Sequence, residues 1–336
     1  MARRSVTLLV PGLAAPPRDV VDFPPTPTLD RSFARASAAP DPETVFERVL
    51  LRDFCEADLA PWAALSYWGD TGAPPAGPLL RADPLHLQAG TQHHVHFDQA
   101  RLHLDAEESA ALLASLNALL QTDGMALEAP TPGRWYLHLP AAPEIATQPL
   151  SHGLALGASL WAPRGPDATC FKGLLTELQM LLHDHPVNTA RERLGQLPVN
   201  SLWLWGEGAL PADCHPPFDL IVGGDALARG LALASGAAWC ADWPARDTSV
   251  PTPARRILWV MDALLRPAQW GDWEAWLDAL RDLEDALATA LETHLAGADL
   301  DFRPLAGYAY RAAPGNRWRI WRRARPFIEH LRTPPA

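Results

Sequence analysis

The sequence predicts an α/β protein: a mostly parallel sheet with helices on both faces, joined to a second, α+β region. Three observations predict it. Near-continuous apolar runs at 201–205, 220–222 and 256–261 alternate with helical segments, the pattern of parallel strands buried on both faces. Residues 85–104 switch to period-two alternation, which indicates strands with one buried face. Between the first strand and that region lies a breaker, Thr-Gly-Ala-Pro-Pro-Ala-Gly-Pro at 71–78, a candidate domain boundary.

Residues 6–10 form a buried strand stopped by Pro11-Gly12. Residues 14–44 are proline-rich and irregular, although Pro27-Thr-Leu-Asp-Arg-Ser-Phe can start a short helix. Leu85 and Leu87, Val95 and Phe97, and Leu102 and Leu104 mark alternating strands. A helix follows over 105–121. Asp105 is placed as its N-cap, Glu108 returns a bond to the backbone, and Leu112, Leu116 and Leu119 form its apolar stripe. A strand over 135–139 and an apolar helix over 171–182 come next, the helix ending at Asp184-His185-Pro186. The strand at 201–205 closes at Gly206-Glu-Gly208. The strand at 219–222 leads into a helix that ends at Gly236, and a further strand spans 256–261. The longest helix, 271–296, carries Trp273, Trp276, Leu280, Leu283, Leu287 and Leu291 at helical spacing. A hairpin is expected near Gly315-Asn316. The strands at 6–10, 201–205, 219–222 and 256–261 are expected in one sheet.

The 336 residues suit two domains or one large α/β unit. With 48% hydrophobic and 20% charged residues the chain can bury a core, which excludes wholesale disorder. A net charge of −11 argues against general nucleic-acid binding, which needs clustered cations. Lys172 is the one lysine among 28 basic residues, a compositional bias without mechanistic content. No apolar run reaches the ~18 residues of a membrane helix. The first apolar run stops at Pro11, short for a signal peptide. A cytoplasmic protein is expected, with Cys55, Cys170, Cys214 and Cys240 as free thiols, since they lie far apart and lack metal-ligand spacing; a disulfide is the alternative.

The most informative stretch is His185-Pro-Val-Asn-Thr-Ala-Arg-Glu-Arg-Leu-Gly-Gln-Leu-Pro-Val-Asn-Ser-Leu-Trp-Leu-Trp-Gly-Glu-Gly208. It resembles a segment of the archaeal-type cofactor-independent phosphoglycerate mutases, of the alkaline-phosphatase superfamily. Shorter likenesses follow in order: Leu8-Leu-Val-Pro-Gly-Leu13, Pro27-Thr-Leu-Asp-Arg31, Ser66-Tyr-Trp-Gly-Asp70, Arg81-Ala-Asp83 and the glycine-bearing helix at 221–236. The chain is also similar to bacterial RpfE-type regulatory proteins. The resemblance implies an alkaline-phosphatase-like core of residues 1–75 and 195–336, interrupted by an α+β cap of residues 76–194.

Such mutases use two divalent metals, usually manganese or zinc, and a serine that accepts the phosphoryl group; the metals clamp the attacking and leaving oxygens. In this chain the corresponding positions hold Pro11, Ala60 (the nucleophile position), Leu265 and Gln269, and a Gly-Asp-His ligand motif is missing from 297–325. The expectation is therefore no catalytic residue, no metal and no cofactor. Asp262 and Asp272 are the nearby substitutes, the first expected one strand position out of register and the second to cap the long helix. The substrate-side residues that remain are Arg81, Asp83, His185, Asn188, Arg191 and Asn200. As an anion pocket they suit a phosphorylated or carboxylated metabolite, because arginine donates two parallel bonds. Alternatively, Asn188, Arg191 and Asn200 cap helices and pin the chain.

Three other constellations are weaker. His93-His94-Val-His96 and His183-Asp-His185 give no three-ligand set by spacing. Gly223-Gly224-Asp225…Gly230 does not fit a phosphate-binding turn and reads as a helix start with Asp225 as N-cap. Arg317-Trp-Arg-Ile-Trp-Arg-Arg-Ala-Arg325 could stack bases, pack as an edge strand or meet an acidic protein partner. The functional expectation is a non-catalytic, phosphoglycerate-mutase-like protein with a regulatory or binding role. The alternatives are an active metal-dependent phosphomutase or phosphatase with relocated ligands, and a protein-interaction scaffold.

Overall fold

A computed structural model describes residues 3–15, 23–55, 61–89, 94–152, 162–210, 214–243, 254–313 and 325–332. In chain order its elements are β1 (Ser5–Leu9), α1 (Pro27–Arg35), β2 (Ser37–Asp41), α2 (Phe46–Leu51), α3 (Trp62–Thr71), β3 (Leu79–Ala89), β4 (His94–Phe97), α4 (Gln99–Leu102), α5 (Ala106–Leu120), β5 (Ala126–Thr131), β6 (Arg134–His138), α6 (Ala168–His183), α7 (Pro186–Arg193), β7 (Ser201–Trp205), β8 (Leu220–Gly223), α8 (Ala226–Ser235), β9 (Ala238–Cys240), β10 (Arg256–Val260), α9 (Leu265–Trp270), α10 (Trp273–Thr293), β11 (Asp299–Arg303), β12 (Gly307–Ala312) and α11 (Phe327–Arg332). They form a mixed α/β fold with a mostly parallel sheet and a separate antiparallel one.

The chain divides into two compact units, one of Met1–Cys55 with Cys214–Ala336 and one of Glu56–Asp213. These bounds differ from the sequence-based boundaries at 75/76 and 194/195. The breaker at 71–78 lies inside the second unit, where Gly72, at φ 79°, ends α3.

The first unit holds the seven-stranded sheet β2-β12-β11-β1-β10-β8-β9. Strands β11, β1, β10, β8 and β9 run parallel; β12 adds antiparallel to β11, and β2 adds antiparallel to β12 at the edge. On one face Val6, Leu8, Val222, Ile257 and Phe302 share a core with Phe33 of α1 and with Trp276, Leu280, Leu283 and Leu287 of α10. Leu9, Ile221 and Leu258, pointing the other way, are buried too, which explains why these strands read as continuous apolar runs. Thr26 supplies no side-chain cap to α1. Glu284 from α10 does so instead: its carboxylate accepts from the backbone N–H of Thr28 at 2.5 Å and of Leu29 at 3.0 Å. An acid at that end also complements the helix dipole.

The second unit is built on β3, which pairs antiparallel with β4, β6 and β7, while β6 also pairs with β5. Strand β7 therefore does not join the parallel sheet, contrary to expectation. Its uninterrupted apolar character reports burial on both faces, which a strand paired antiparallel to β3 also has once both faces are covered. Helix α5 forms as the sequence predicts. Asp105 accepts from Glu108 N–H at 2.8 Å and Glu108 accepts from Asp105 N–H at 3.2 Å. Leu102 and Leu104 do not extend the alternating strands: Asp98 caps the short α4 there, and Leu102 ends it. The expected hairpin at 315–316 lies outside the described residues.

Candidate functional site

In open α/β sheets, ligands bind outside the carboxyl ends of parallel strands. In the first unit this is where β1 and β10 end. Pro11 is buried after β1. Gly12 follows at φ +85°, so close to the other strand's exit that a Cβ there would stand 2.6 Å from the Leu264 carbonyl oxygen. The Gly12 carbonyl accepts from the indole N–H of Trp276 at 3.0 Å, and Leu264 is fully buried. Backbone and leucine fill the space between the strand exits.

The polar residues nearby have structural partners. The Gln269 amide oxygen accepts from Arg266 at 3.0 Å, which places a cation where a metal ligand is expected. Asp272 accepts from Ala275 N–H at 3.2 Å and caps α10, as anticipated. Asp225 accepts from Leu227 N–H at 2.9 Å and caps α8. The glycines before it serve packing, since a Cβ at Gly223 would stand 2.4 Å from the Val260 carbonyl oxygen. Asp262 opens the turn after β10 and is half-buried. It lines a cavity of ≈ 640 Å³ with Asp242, Asp282 and Asp285, walled by the stacked rings of Trp243 and Trp259. The lining of this cavity is acidic among the described residues. No group of three or more His, Cys, Asp or Glu side chains among the described residues could hold a metal ion. The two dications implied by the resemblance do not fit these strand ends. Ala60 lies outside the described residues.

Burial, reinforced by the Asp225 charge, pushes the Asp262 carboxyl up to about 6. A carboxyl raised in the fold destabilises the fold once it ionises. That cost is absent below about pH 4, where both states are protonated, and complete above about pH 6. Asp262→Asn is therefore expected to stabilise the protein at pH 7 by about 1–3 kcal/mol and to have little effect at pH 4. Urea denaturation at the two pH values checks this, and equal effects at both would contradict it.

The substrate-side residues expected from the sequence all lie in the second unit, in separate clusters rather than one pocket. Arg81 and Asp83, on β3, pair with each other: the guanidinium donates to Asp83 Oδ1 at 2.5 and 3.2 Å and to Ser66 Oγ at 2.8 Å. The rings of Tyr136 and Trp205 flank it at 5.5 and 5.1 Å, and Trp205 donates its indole N–H to Asp83 Oδ2 at 2.6 Å. Beside this cluster Asp70 accepts from Arg134 at 2.7 and 2.8 Å and from the Tyr136 hydroxyl at 2.6 Å.

Arg191 is 1% exposed. All three of its guanidinium nitrogens are engaged, donating to the Leu197 carbonyl at 2.8 Å, to Glu108 Oε2 at 2.5 Å and to the Leu102 carbonyl at 2.5 Å. Asn188 donates to the carbonyls of Leu182 and Val199 and accepts from Val199 N–H. Asn200 makes the same two-way bridge with the backbone of Leu87. The alternative of capping and pinning describes these three side chains: Asn188 and Arg191 each satisfy a carbonyl in the last turn of a helix, Leu182 of α6 and Leu102 of α4, and Asn200 pins β3. His185 caps α7: its Nδ1 accepts from Val187 N–H at 3.2 Å, and its Nε2 meets Ser115 Oγ at 3.0 Å. Burial holds its pKa below the usual value, keeping Nδ1 free to accept. Both guanidinium groups on which the expected anion pocket rests, Arg81 and Arg191, bond internal acceptors.

Glu207, in the Gly-Glu-Gly turn after β7, accepts from the backbone N–H and the hydroxyl of Thr147. His183 meets Asp184 on the surface, at 3.9 Å. His93, the side chains of His94 and His96, and residues 317–324 lie outside the described residues. Spacing did not reveal Glu108, Ser66 or Trp205 as partners. The one available signal was the Asp105…Glu108 capping pair, whose second role toward Arg191 spans 83 positions.

No protein-family model matches the chain. Parts of it are similar to 2,3-bisphosphoglycerate-independent phosphoglycerate mutases. That of Methanosarcina mazei is 29% identical over 143 residues, 40% of this chain and 35% of the enzyme. That of Methanothrix thermoacetophila is 38% identical over 86 residues, 25% of this chain and 21% of the enzyme. The chain thus matches about a third or less of the length of these relatives. Among solved structures, the PH0037 protein from Pyrococcus horikoshii is similar in fold, with a TM-score of 0.50 at 13% identity over 94% of this chain and 89% of that one. The chain is phosphoglycerate-mutase-like in sequence. No described helix is long and apolar enough to cross a membrane.

Proposed function

We propose that this is a non-catalytic phosphoglycerate-mutase-like protein with a binding or regulatory role in the cytoplasm, in the manner of the bacterial RpfE-type proteins it resembles. One observation carries the reading. The positions that would bear metal ligands hold Pro11, after β1, and Leu265 and Gln269, on α9, and Gly12 is packed directly against the Leu264 backbone. Phosphoryl transfer in this superfamily needs cations to neutralise developing charge and an oxygen nucleophile to carry the group. One amide oxygen already bonded to Arg266 supplies neither. A phosphorylated or carboxylated ligand would have to draw Arg81 or Arg191 away from its internal acceptors. This favours a protein partner, and the Arg/Trp segment 317–325 suits an acidic one.

The test is an assay of the purified chain with 3-phosphoglycerate and either manganese or zinc. No interconversion with 2-phosphoglycerate and no phosphate release above the protein-free control are expected. Metal-dependent turnover that disappears in Asp262→Ala or Asp272→Ala would overturn the reading and restore the relocated-ligand alternative.

A further inference from the structure

We infer that Cys55 and Cys214 form an oxidation site, a thiol pair that closes to a disulfide where the chain leaves the first unit and returns to it. The N-terminal part of that unit ends at Cys55, and its second part begins at Cys214. The two crossings are joined through the backbone: His215 N–H donates to the Phe54 carbonyl at 3.1 Å. The ring of Phe54 packs on that of Phe218, 5.8 Å between centroids. Residues 55 and 214 each lie one step beyond that bond. That backbone bond sets Cys55 and Cys214 side by side, near enough that the Cys214 sulfur acts on the Cys55 thiol, which itself donates to the Leu51 carbonyl at 4.0 Å. Both are half-buried, so a small oxidant reaches them. The other two thiols lie elsewhere, Cys170 exposed on α6 and Cys240 on β9.

The chemistry needs a hydroperoxide, and hydrogen peroxide suffices. Burial and the neighbouring Cys214 sulfur push the Cys55 thiol up to about 11, which makes Cys55 the poorer first nucleophile and assigns the first attack to Cys214. The Cys214 thiolate attacks one peroxide oxygen, the O–O bond breaks, and a sulfenic acid and a first water result. Cys55 then attacks the sulfenic sulfur and gives up its proton. The S–S bond forms, the S–O bond breaks, and a second water leaves. The two thiols lose two electrons and two protons, and the peroxide takes them up. The product ties residues 56–213, the entire second unit, into a covalent loop with both ends fixed at one point of the first.

The test uses the full-length reduced protein, treated with hydrogen peroxide, capped with an alkylating reagent and digested without reductant for mass spectrometry. A peptide linking Cys55 to Cys214 is expected as the principal cross-link. It should be lost in Cys55→Ser and Cys214→Ser and kept in Cys170→Ser and Cys240→Ser. In the wild type, a single proteolytic nick within 56–213 should leave fragments that separate only after reduction. Recovery of Cys55 and Cys214 from the wild type as separately capped thiols or separate sulfinic acids would overturn the proposal. A cross-link through Cys170 or Cys240 instead would do the same. The wild-type readout stands even if a serine variant fails to fold.

Discussion

Arg191→Ala is expected to destabilise the protein by about 3–5 kcal/mol, the range for breaking a buried ion pair from one side. The substitution removes three bonds at once and strands the carbonyls of Leu102 and Leu197 in the interior. An unsatisfied buried acceptor costs about 1–3 kcal/mol. Glu108 keeps its bond from Asp105 N–H and a side chain 21% exposed to solvent, which holds the total below a simple sum. Arg191→Lys should recover only part of the loss, because one ammonium cannot span three acceptors that a planar fork reaches. Urea denaturation reads the effect. A variant within about 1 kcal/mol of wild type that instead loses affinity for phosphoglycerates would show that Arg191 faces a ligand after all.

Asp83→Ala should cost a similar amount, about 3–5 kcal/mol. The Arg81 side chain is 8% exposed, and this substitution deprives it of its carboxylate while leaving the Trp205 indole N–H without an acceptor. The Ser66 hydroxyl and the Tyr136 and Trp205 rings beside Arg81 are neutral and replace little of what the carboxylate supplies. The sign of a second experiment follows from the same physics. Replacing both partners with apolar residues, Arg81→Met with Asp83→Leu, removes the charge together with its counter-charge and is expected to be milder than Asp83→Ala alone. A double variant less stable than the single one would mean that the pair adds net stability beyond neutralising itself.

Much of the fold was legible in the sequence, because burial on both faces leaves a simple record. Strands β1, β8 and β10 read directly as apolar runs, and α5 and α10 announced their caps in Asp105 and Asp272. The same signal misassigned β7. Its residues are as apolar as those of a parallel strand, and burial does not say which strand lies alongside. Strand β2, Ser37-Ala-Ala-Pro-Asp41, left no pattern at all: it is an edge strand, and its position rests on pairing with β12. Side-chain partners were less legible still. Arg191 finds Leu102 across 89 positions, and Glu284 caps a helix that begins at Pro27. Cys55 and Cys214 read as isolated thiols until the fold brought the two crossings together. Residue types named the polar chemistry, but only the three-dimensional arrangement shows that most of it is turned inward.

The central claim is that packed backbone and leucine take the place of the two metals at the strand ends of the first unit. Its most direct test is the metal content of the purified chain after equilibration with manganese and with zinc, followed by removal of free ions. The account predicts far less than one ion bound per chain for either metal, with no change in Asp262→Asn or Asp272→Asn. Two ions bound per chain, lost in either variant, would contradict it.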